Sequence, residues 1–356
     1  MQIRELSLVT SNIREQRAFY AETLGLIIET EWEQGVVFKT GSTHLTFYEQ
    51  TGTVARYHFA FNIPENQIDT ATSWLKQRVP LISDENQSRF FFERWNADAV
   101  YFYDPMGNIV ELIARHTLQN ATALPFGVTS LLCVSEIGLV VNDVPAAVRS
   151  LTKTLDVRVY DGENSDTFTA VGDPDGLLVV VKTGRVWYPQ TGVEAQPNHA
   201  SMEIEQSGVL FNQKQIKDSL LSAQNIDPVL EAEFVASWDH IIRFFEQFLI
   251  LPSCEWLVPM IPFIRVLRQE GYNRKLRAGQ SMMTFILSRA IRHGLRRGQA
   301  SVAFNLHPDG QMTVNYYSAM RDLPDYSISR HLSVENASIS DEVEGLLIRL
   351  LMQPLD

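Results

Sequence analysis

The sequence is poor in cysteine and has no long uninterrupted run of apolar residues. Its two cysteines, Cys133 and Cys254, are far apart, so a disulfide scaffold and a cysteine-rich zinc site are not expected. The most apolar stretch, 244–263, contains two glutamates and three prolines and predicts buried helices rather than a membrane span. With no recognisable signal peptide, these features predict a cytoplasmic protein without a membrane partner.

The chain is long enough to form more than one hydrophobic core. Its 356 residues, 45% of them hydrophobic, allow two or three domains. The glycine-containing segment 172–176 lacks both the spacing and the lysine of a phosphate-binding loop, so it predicts a turn.

Acidic and basic residues are unevenly distributed. Residues 1–206 contain 15 Lys and Arg against 26 Asp and Glu, whereas residues 207–356 contain 15 against 16. Within the second part, segment 265–297 contains nine basic residues and one acidic residue. Its candidate anion- or partner-binding residues are Arg274, Lys275, Arg292 and Arg296. Aromatic residues do not interleave with them, which disfavours nucleic acid and favours an interdomain or partner surface.

The segment Ala99 to Ile113 predicts a hairpin that carries a carboxylate in its second strand. Apolar residues flank the turn 104–107, where Pro and Gly occupy ordinary β-turn positions. Glu111 lies in an otherwise apolar strand. It therefore either faces solvent or has a buried function that compensates the loss of its hydration.

Two other predicted strands each contain a titratable residue. Residues 57–61 form an apolar strand with His58 in it, and the first strand, 3–9, contains Glu5. Ser11 and Asn12 follow that first strand as an N-cap signal for a helix. The predicted order is strand, helix and three strands, followed by strand, helix and further strands that end at Glu111. The same unit is thus repeated within the first 115 residues.

The segments ELSLVTSNIREQRAFYAETLGL, YHFAF and VYFYDPMGNIVELI resemble the vicinal oxygen chelate superfamily. This superfamily includes glyoxalase I, fosfomycin-resistance transferases, extradiol dioxygenases and bleomycin-binding proteins. The resemblance covers residues 1–115 and implies paired βαβββ modules that form a cupped mixed sheet. It also implies a divalent metal, with His58 and Glu111 at ligand positions. Glu5 stands where many members have His, and Thr46 where some have Glu.

The chemistry of these residues agrees with a metal site. One imidazole and two carboxylates on different strands form a facial ligand set with open positions, as a Lewis-acid site requires. Fe, Mn, Zn and Ni are the candidate divalent metals, and nothing in the sequence selects among them. A hydrogen-bonded core histidine and a solvated glutamate are the alternatives for His58 and Glu5.

A group of aromatic and charged residues lies between the second predicted helix and the hairpin. Phe92, Arg94 and Trp95 belong to it and are the candidate substrate-binding residues, because small-molecule pockets combine apolar walls with a few polar groups. Arg94 is the candidate for binding an anionic substrate. A strand with one buried face is the alternative interpretation.

A second copy of the strand-to-helix pattern begins at residue 134, after a polar linker. It predicts a third βαβββ-like module, 131–206, that covers or completes the first cup. Glu136 stands where Glu5 stands in the first copy, and Glu136 and His199 are candidates for a second site. Whether one chain or a homodimer completes the cup stays open at this point.

Residues 227–356 predict a separate helix-rich α+β domain of unknown role. Helical periodicity is present in 231–249, 256–269 and 281–293. A hairpin is predicted for 301–306 and 311–317, followed by a final helix at 341–352. The fold class predicted for the whole chain is α+β.

Three functions fit these features, and the first is our working hypothesis. It is a metal-dependent enzyme of the glyoxalase or dioxygenase type, a lyase, isomerase or dioxygenase, that acts on a small oxygen-rich substrate. The second is a metal-free small-molecule binding protein of the bleomycin-resistance kind. The third is an interaction protein whose basic C-terminal face binds an anionic partner.

Overall fold

The computed structural model describes residues 1–50, 56–162, 164–198, 200–222, 226–292, 294, 299–318, 323–351, 353 and 355. The chain divides into two compact units, Met1–Gln224 and Asn225–Asp356. Each unit contains its own sheet structure and its own buried apolar residues.

The described part of the first unit consists of strands β1–β13 and helices α1–α4. The strands are β1 (Gln2–Thr10), β2 (Ile27–Trp32), β3 (Gly35–Thr40), β4 (Thr43–Glu49), β5 (His58–Ile63), β6 (Arg89–Phe92), β7 (Ala97–Tyr103), β8 (Ile109–Arg115), β9 (Cys133–Val141), β10 (Phe168–Asp173), β11 (Gly176–Lys182), β12 (Ala200–Gln206) and β13 (Val209–Phe211). The helices are α1 (Ile13–Ala18), α2 (Ile68–Lys76), α3 (Val144–Leu155) and α4 (Gln213–Ser222).

Helices α1 and α3 begin in the same way. The side chain of Asn12 accepts a hydrogen bond from the backbone N–H of Glu15 at 3.2 Å, and Asp143 accepts one from Ala146 at 2.9 Å. Each side chain satisfies a backbone donor that the first helical turn leaves without a partner. The predicted N-cap before α1 is confirmed, and the third module enters its helix by the same local chemistry.

The strands of the first unit form two sheets. Their orders are β13-β12-β1-β4-β3-β2 and β10-β11-β9-β5-β8-β7-β6. In each βαβββ module the first strand runs parallel to the last, as β1 does with β4, β5 with β8 and β9 with β11. The predicted fold class is confirmed: α+β, built from βαβββ modules and followed by a helix-containing C-terminal unit.

The pairing of modules within the sheets decides which residues meet. Strand β5 of the second module pairs antiparallel with β9 of the third. Strand β1 of the first module pairs with β12 instead. The cup that contains His58 and Glu111 is therefore completed by the third module of the same chain.

The second unit contains a five-stranded antiparallel sheet with three α-helices among its described residues. The strands are β14 (Arg277–Ser281), β15 (Thr284–Ser288), β16 (Ser301–Leu306), β17 (Gln311–Tyr317) and β18 (Tyr326–His331), in sequential order. The helices are α5 (Pro228–Phe248), α6 (Met260–Gln269) and α7 (Asp341–Leu351). The predicted hairpin at 301–317 is confirmed to the residue.

The prediction of a helix at 281–293 is wrong for the residues of this range that the structure describes. Residues 277–288 form the hairpin β14–β15, which reverses at Met282, a residue with a φ of 55°. Phe285 and Leu287 are alternate residues of β15, and both are fully buried. Over so few residues, the alternation of apolar residues in a strand resembles their spacing in a helix. Pairing of β15 with β16 stabilises the strand instead of the helix.

Candidate metal centre

The second sheet brings three potential metal ligands together at its centre. His58 lies on β5, Glu111 on β8 and Glu136 on β9. Strand β5 lies between the other two, and its residue Ala60 is paired with both glutamates. One nitrogen or oxygen atom of each side chain lies within 4.8 Å of the others. The sheet register alone therefore assembles this cluster from two modules.

The second and third modules are related by an approximate twofold axis between β5 and β9. The two strands are antiparallel, and Phe59 is paired with Ile137. His58 precedes Phe59 by one residue, and Glu136 precedes Ile137 by one residue. They are therefore equivalent positions of the two modules.

The same symmetry identifies a fourth position, where the third module has no ligand. Glu111 is paired with Ala60 in the second module, and Val179 is paired with Gly138 in the third. Val179 is thus the counterpart of Glu111. Its apolar side chain offers no donor atom at this position.

Burial controls the protonation of the cluster. His58, Glu111 and Glu136 are only 7%, 2% and 1% exposed. Burial, and then the charge of Glu136, raise the pKa of Glu111 well above its usual value, although Arg115 and Tyr101 oppose this. Burial also raises the pKa of Glu136, which Arg115 opposes. Burial lowers the pKa of His58 to about 4, so its imidazole is neutral at pH 7.

The orientation of His58 suits a ligand. Its Nδ1 lies 3.2 Å from the backbone carbonyl of Ile109, so the neutral ring donates its proton there and keeps a lone pair on Nε2. That Nε2 lies 3.5 Å from Oε2 of Glu111. A backbone carbonyl that holds the second nitrogen is the usual support of a metal-binding histidine.

Arg115 supplies the positive charge nearest to the cluster. Its side chain is fully buried, and its guanidinium forms an ion pair with Glu136. Its Nε also donates to Oδ1 of Asn62 at 3.2 Å. One guanidinium balances one of the two carboxylates, so one negative charge stays unbalanced when both are ionised. A neutral imidazole and two carboxylates with this excess charge fit a divalent cation such as Fe, Mn, Zn or Ni.

The three side chains line a cavity of about 510 Å³. This volume lies within the range of roughly 300–1,000 Å³ for small-molecule sites. The predicted substrate-binding residues Phe92, Arg94 and Trp95 all line it. The other lining residues are Phe91, Glu93, Tyr101, Asp161, Ser165, Thr167, Phe168, Val179, Arg185, Trp187 and Tyr188.

Asp161 joins the second and third modules at this cavity. Its Oδ2 accepts a hydrogen bond from Nε1 of Trp95 at 2.7 Å and lies 3.7 Å from Nε of Arg94. The ring of Trp95 stacks on Phe168, with centroids 6.4 Å apart and planes 30° apart. Residues of both modules therefore form one aromatic wall.

Glu5 is not part of the cluster, which corrects its prediction as the third ligand. It is exposed on β1 of the other sheet, opposite Glu203. The third module shares a sheet with the second, so its first strand, not β1, lies beside β5. Glu136, predicted for a second site, therefore occupies the place expected for Glu5. His199 lies outside the described residues.

Several residues of the site were not among the sequence-based candidates. Tyr101 is paired with Glu111 across the hairpin, and Arg115 ends the same apolar strand. Both were detectable as polar groups in strands predicted to be buried. Trp187 and Arg185 follow β11 in an irregular segment, where no sequence periodicity indicates the side chains that reach the cavity.

Acidic residues of α5 contact much of the basic segment 265–297. The ion pairs are Arg265–Glu246, Arg268–Asp239, Arg274–Glu231 and Arg277–Glu233. Arg274 is 69% exposed at its side chain, Lys275 is half-buried and Arg292 is exposed. Arg296 lies outside the described residues. Helix α5 therefore neutralises part of the charge that suggested an anionic partner.

Among the helices that the structure describes, none is long and apolar enough to cross a membrane.

Comparison with solved structures gives partial matches at low sequence identity. No family model matches the chain, and no curated protein matches it. A "putative dioxygenase" from Bacillus subtilis subsp. subtilis str. 168 is 18% identical with a TM-score of 0.39; the match covers 51% of this chain and 63% of that one. This chain thus spans less than two thirds of that structure.

Shorter structures match about a third of the chain. Lactoylglutathione lyase from Agrobacterium tumefaciens is 23% identical, with a TM-score of 0.28, over 31% of this chain and 91% of that one. A glyoxalase/bleomycin resistance protein/dioxygenase from Nocardioides is 23% identical, also with a TM-score of 0.28, over 36% and 90%. These matches are all below 25% identity, and each of the shorter ones is a similarity over about a third of the chain.

Proposed function

We propose that the protein is a metal-dependent enzyme that acts on a small substrate with two adjacent oxygen atoms. His58, Glu111 and Glu136 would be its metal ligands. The observation that supports this is their arrangement, with one donor atom of each within 4.8 Å of the others. A divalent cation bound there supplies Lewis-acid chemistry to substrate oxygens.

The surrounding residues prepare the three donors. The backbone carbonyl of Ile109 accepts a hydrogen bond from Nδ1 of His58, which leaves the lone pair on Nε2. The ion pair with Arg115 orients the carboxylate of Glu136 and favours its ionised form. Burial, followed by the charges of Glu111 and Glu136, raises the pKa of Tyr101 well above its usual value. Tyr101 therefore stays protonated and donates its hydroxyl hydrogen to Glu111.

The open side of the ligand set suits a chelating substrate. Val179 offers no donor atom at the fourth position, and the ring centroid of Trp187 lies 5.2 Å from that of His58. These two groups form an apolar surface beside the ligands. Diols and ketoaldehyde adducts, which carry two adjacent oxygen atoms, are the substrate classes to screen first, and epoxides, with one ring oxygen, follow.

Elemental analysis tests the metal site directly. Wild-type protein is purified without chelator or affinity tag, beside Glu111→Gln, Glu136→Gln and the control Glu5→Gln. We expect about one divalent metal per chain in wild type and Glu5→Gln. Loss of a carboxylate ligand should weaken the retention of metal by about 10-fold or more, since even the partners that support metal ligands contribute about 10–100-fold.

Two results would contradict the proposal. One is the absence of metal after reconstitution with Mn²⁺, Fe²⁺, Ni²⁺ and Zn²⁺. The other is equal metal retention by Glu136→Gln and wild type.

One observation favours metal-free ligand binding as a second candidate function. Because the pKa of Glu111 is raised and Arg115 pairs with Glu136, protonation of Glu111 makes the cluster neutral without a cation. This candidate predicts no bound metal and a small ligand held by the aromatic wall. Quenching of tryptophan fluorescence by that ligand in metal-free protein would support it.

A further inference from the structure

The indole of Trp187 lies beside the candidate metal ligands. Trp187 lines their cavity and is only 4% exposed. Its ring centroid lies 5.2 Å from that of His58, and the two ring planes are 44° apart. On its other side, a Cβ added at Gly138 of β9 would lie 2.5 Å from Cη2, at the outer edge of the six-membered ring. The indole therefore packs against both β5 and β9, the strands that carry His58 and Glu136.

Backbone hydrogen bonds hold Trp187 in the segment after β11. The Trp187 N–H donates to the carbonyl of Val193 at 2.9 Å, and the Trp187 carbonyl accepts from the hydroxyl of Thr191 at 2.9 Å. The N–H of Gly184 donates to the carbonyl of Ala195 at 2.8 Å and closes the same segment. The ring is therefore positioned before a ligand binds, which a selective contact requires.

The indole N–H of Trp187 differs from two other donors of the cavity. The indole N–H of Trp95 donates to Asp161 at 2.7 Å, and the hydroxyl of Tyr101 donates to Glu111. Among the residues that the structure describes, none accepts a hydrogen bond from the Trp187 indole. A buried indole N–H usually has a partner, because burial removes the water that would otherwise accept from it. A ligand in the cavity would supply that acceptor.

We propose that Trp187 is a specificity-determining residue that donates its indole hydrogen to an acceptor oxygen of the substrate, such as a carbonyl oxygen. An indole N–H only donates, so it favours a ligand with an acceptor over one of the same shape without it. Its place beside His58 allows this oxygen to be one of the adjacent pair at the metal ligands. That pairing rests on the proposed function, whereas the hydrogen bond to the acceptor does not.

Indole signals in ¹H–¹⁵N spectra of the full chain report this hydrogen bond. The chain has six tryptophans, and the signal that is missing from Trp187→Phe identifies that of Trp187. Metal-free protein is titrated with acetophenone and with α-methylstyrene, a hydrocarbon of similar shape without an oxygen. We expect acetophenone to move the Trp187 indole proton to lower field and to slow its exchange with water. α-Methylstyrene should do neither, because it has no acceptor.

Affinity is the second readout, and Trp32→Phe is the matched control. Trp32 lies on β2 of the other sheet and is 49% exposed. Wild type and Trp32→Phe should share one preference for acetophenone over α-methylstyrene. We expect this preference to fall about 3- to 10-fold in Trp187→Phe, as the loss of one neutral hydrogen bond implies. A merely structural role of Trp187 would weaken the binding of both probes equally. Circular dichroism and thermal unfolding establish that each variant is folded.

A Zn²⁺-loaded sample separates this inference from the proposed function. It is titrated with α-hydroxyacetophenone, whose carbonyl and hydroxyl oxygens are adjacent. If the chain binds no Zn²⁺, the metal-free titration still decides the role of Trp187. If acetophenone leaves the Trp187 signal unchanged up to its solubility limit, or if Trp187→Phe keeps the wild-type preference, the inference is overturned. Binding of α-hydroxyacetophenone to Zn²⁺-loaded protein without a change in the Trp187 signal overturns it while leaving the metal site intact.

Discussion

Individual carboxylates in the first unit differ in the direction of their pKa shift because different residues contact them. Burial raises the pKa of Glu111, which lies beside another carboxylate. Burial also raises the pKa of Asp98, but hydrogen bonds from Arg89 and His116 outweigh this effect and lower its pKa below 3.8. A buried carboxylate beside another carboxylate favours a bound proton or metal ion. A buried carboxylate that accepts hydrogen bonds from cationic side chains favours a permanent ion pair.

We expect Asp98→Asn to reduce the free energy of unfolding by about 1.5–3 kcal/mol at neutral pH, as hydrogen bonds between charged groups do. The Asp98 carboxylate lies 2.7 and 2.9 Å from two Arg89 nitrogens and 3.0 Å from Nε2 of His116. Because its pKa is lower in the folded state, its contribution is complete above about pH 4 and disappears as the pH falls below that value. Urea unfolding from pH 3 to 7 measures this.

Asp69→Asn is the matched control, since Asp69 pairs with the same Arg89 at 2.7 Å but is 86% exposed at its side chain. It should change stability by less than about 1 kcal/mol. Equal effects of the two variants, or a difference between Asp98→Asn and wild type that does not shrink in acid, would show that this ion pair is unimportant.

Among the strands, β9 lacks a methyl group at one position where its counterpart β5 has one. Gly138 of β9 corresponds to Ala60 of β5. A Cβ added at Gly138 would lie 2.5 Å from a ring atom of Trp187. The glycine thus allows the segment after β11 to place a tryptophan directly against the candidate site.

Gly138→Ala should therefore displace Trp187 and destabilise the first unit by about 1–3 kcal/mol, as overpacking of a core does. Urea unfolding with tryptophan fluorescence measures both effects. Gly127→Ala is the control, because Gly127 has an extended φ of −165° and a Cβ there meets no atom within 4 Å. Unchanged fluorescence and stability in Gly138→Ala would mean that the ring moves aside without cost.

At the scale of the whole molecule, the proposed metal belongs to one of two compact units. The candidate ligands all lie in Met1–Gln224, and Asn225–Asp356 has a separate core around Trp238, Phe245 and Phe304. A ligand that binds only the folded form of one unit stabilises that unit by mass action. Metal should therefore act on only part of the unfolding transition.

We expect added Mn²⁺ to raise the unfolding temperature of the first unit in metal-depleted protein and to leave that of the second unit unchanged. At a free concentration 100 times the dissociation constant, the stabilisation is about 2.7 kcal/mol. Differential scanning calorimetry measures both transitions, and Glu136→Gln should abolish the shift. A shift that persists in Glu136→Gln would place the metal elsewhere.

Features that depend on neighbouring residues were predictable from the order of the amino acids. The hairpin that carries Glu111, the strand that carries His58, the N-cap at Asn12 and the hairpin 301–317 follow from turn chemistry and from alternation over a few residues. These features were sufficient to predict the module fold and two of the three candidate ligands.

Long-range strand pairing determines which modules share a sheet, and it is visible only in the folded chain. The local patterns around Glu5 and Glu136 are alike, but antiparallel pairing of β5 with β9 brings Glu136 to the cluster and leaves Glu5 exposed on the other sheet. Contacts of this kind depend on sheet register between distant segments, which no local periodicity encodes. The same reason explains why Arg115, Arg185 and Trp187 were recognised only in the folded chain.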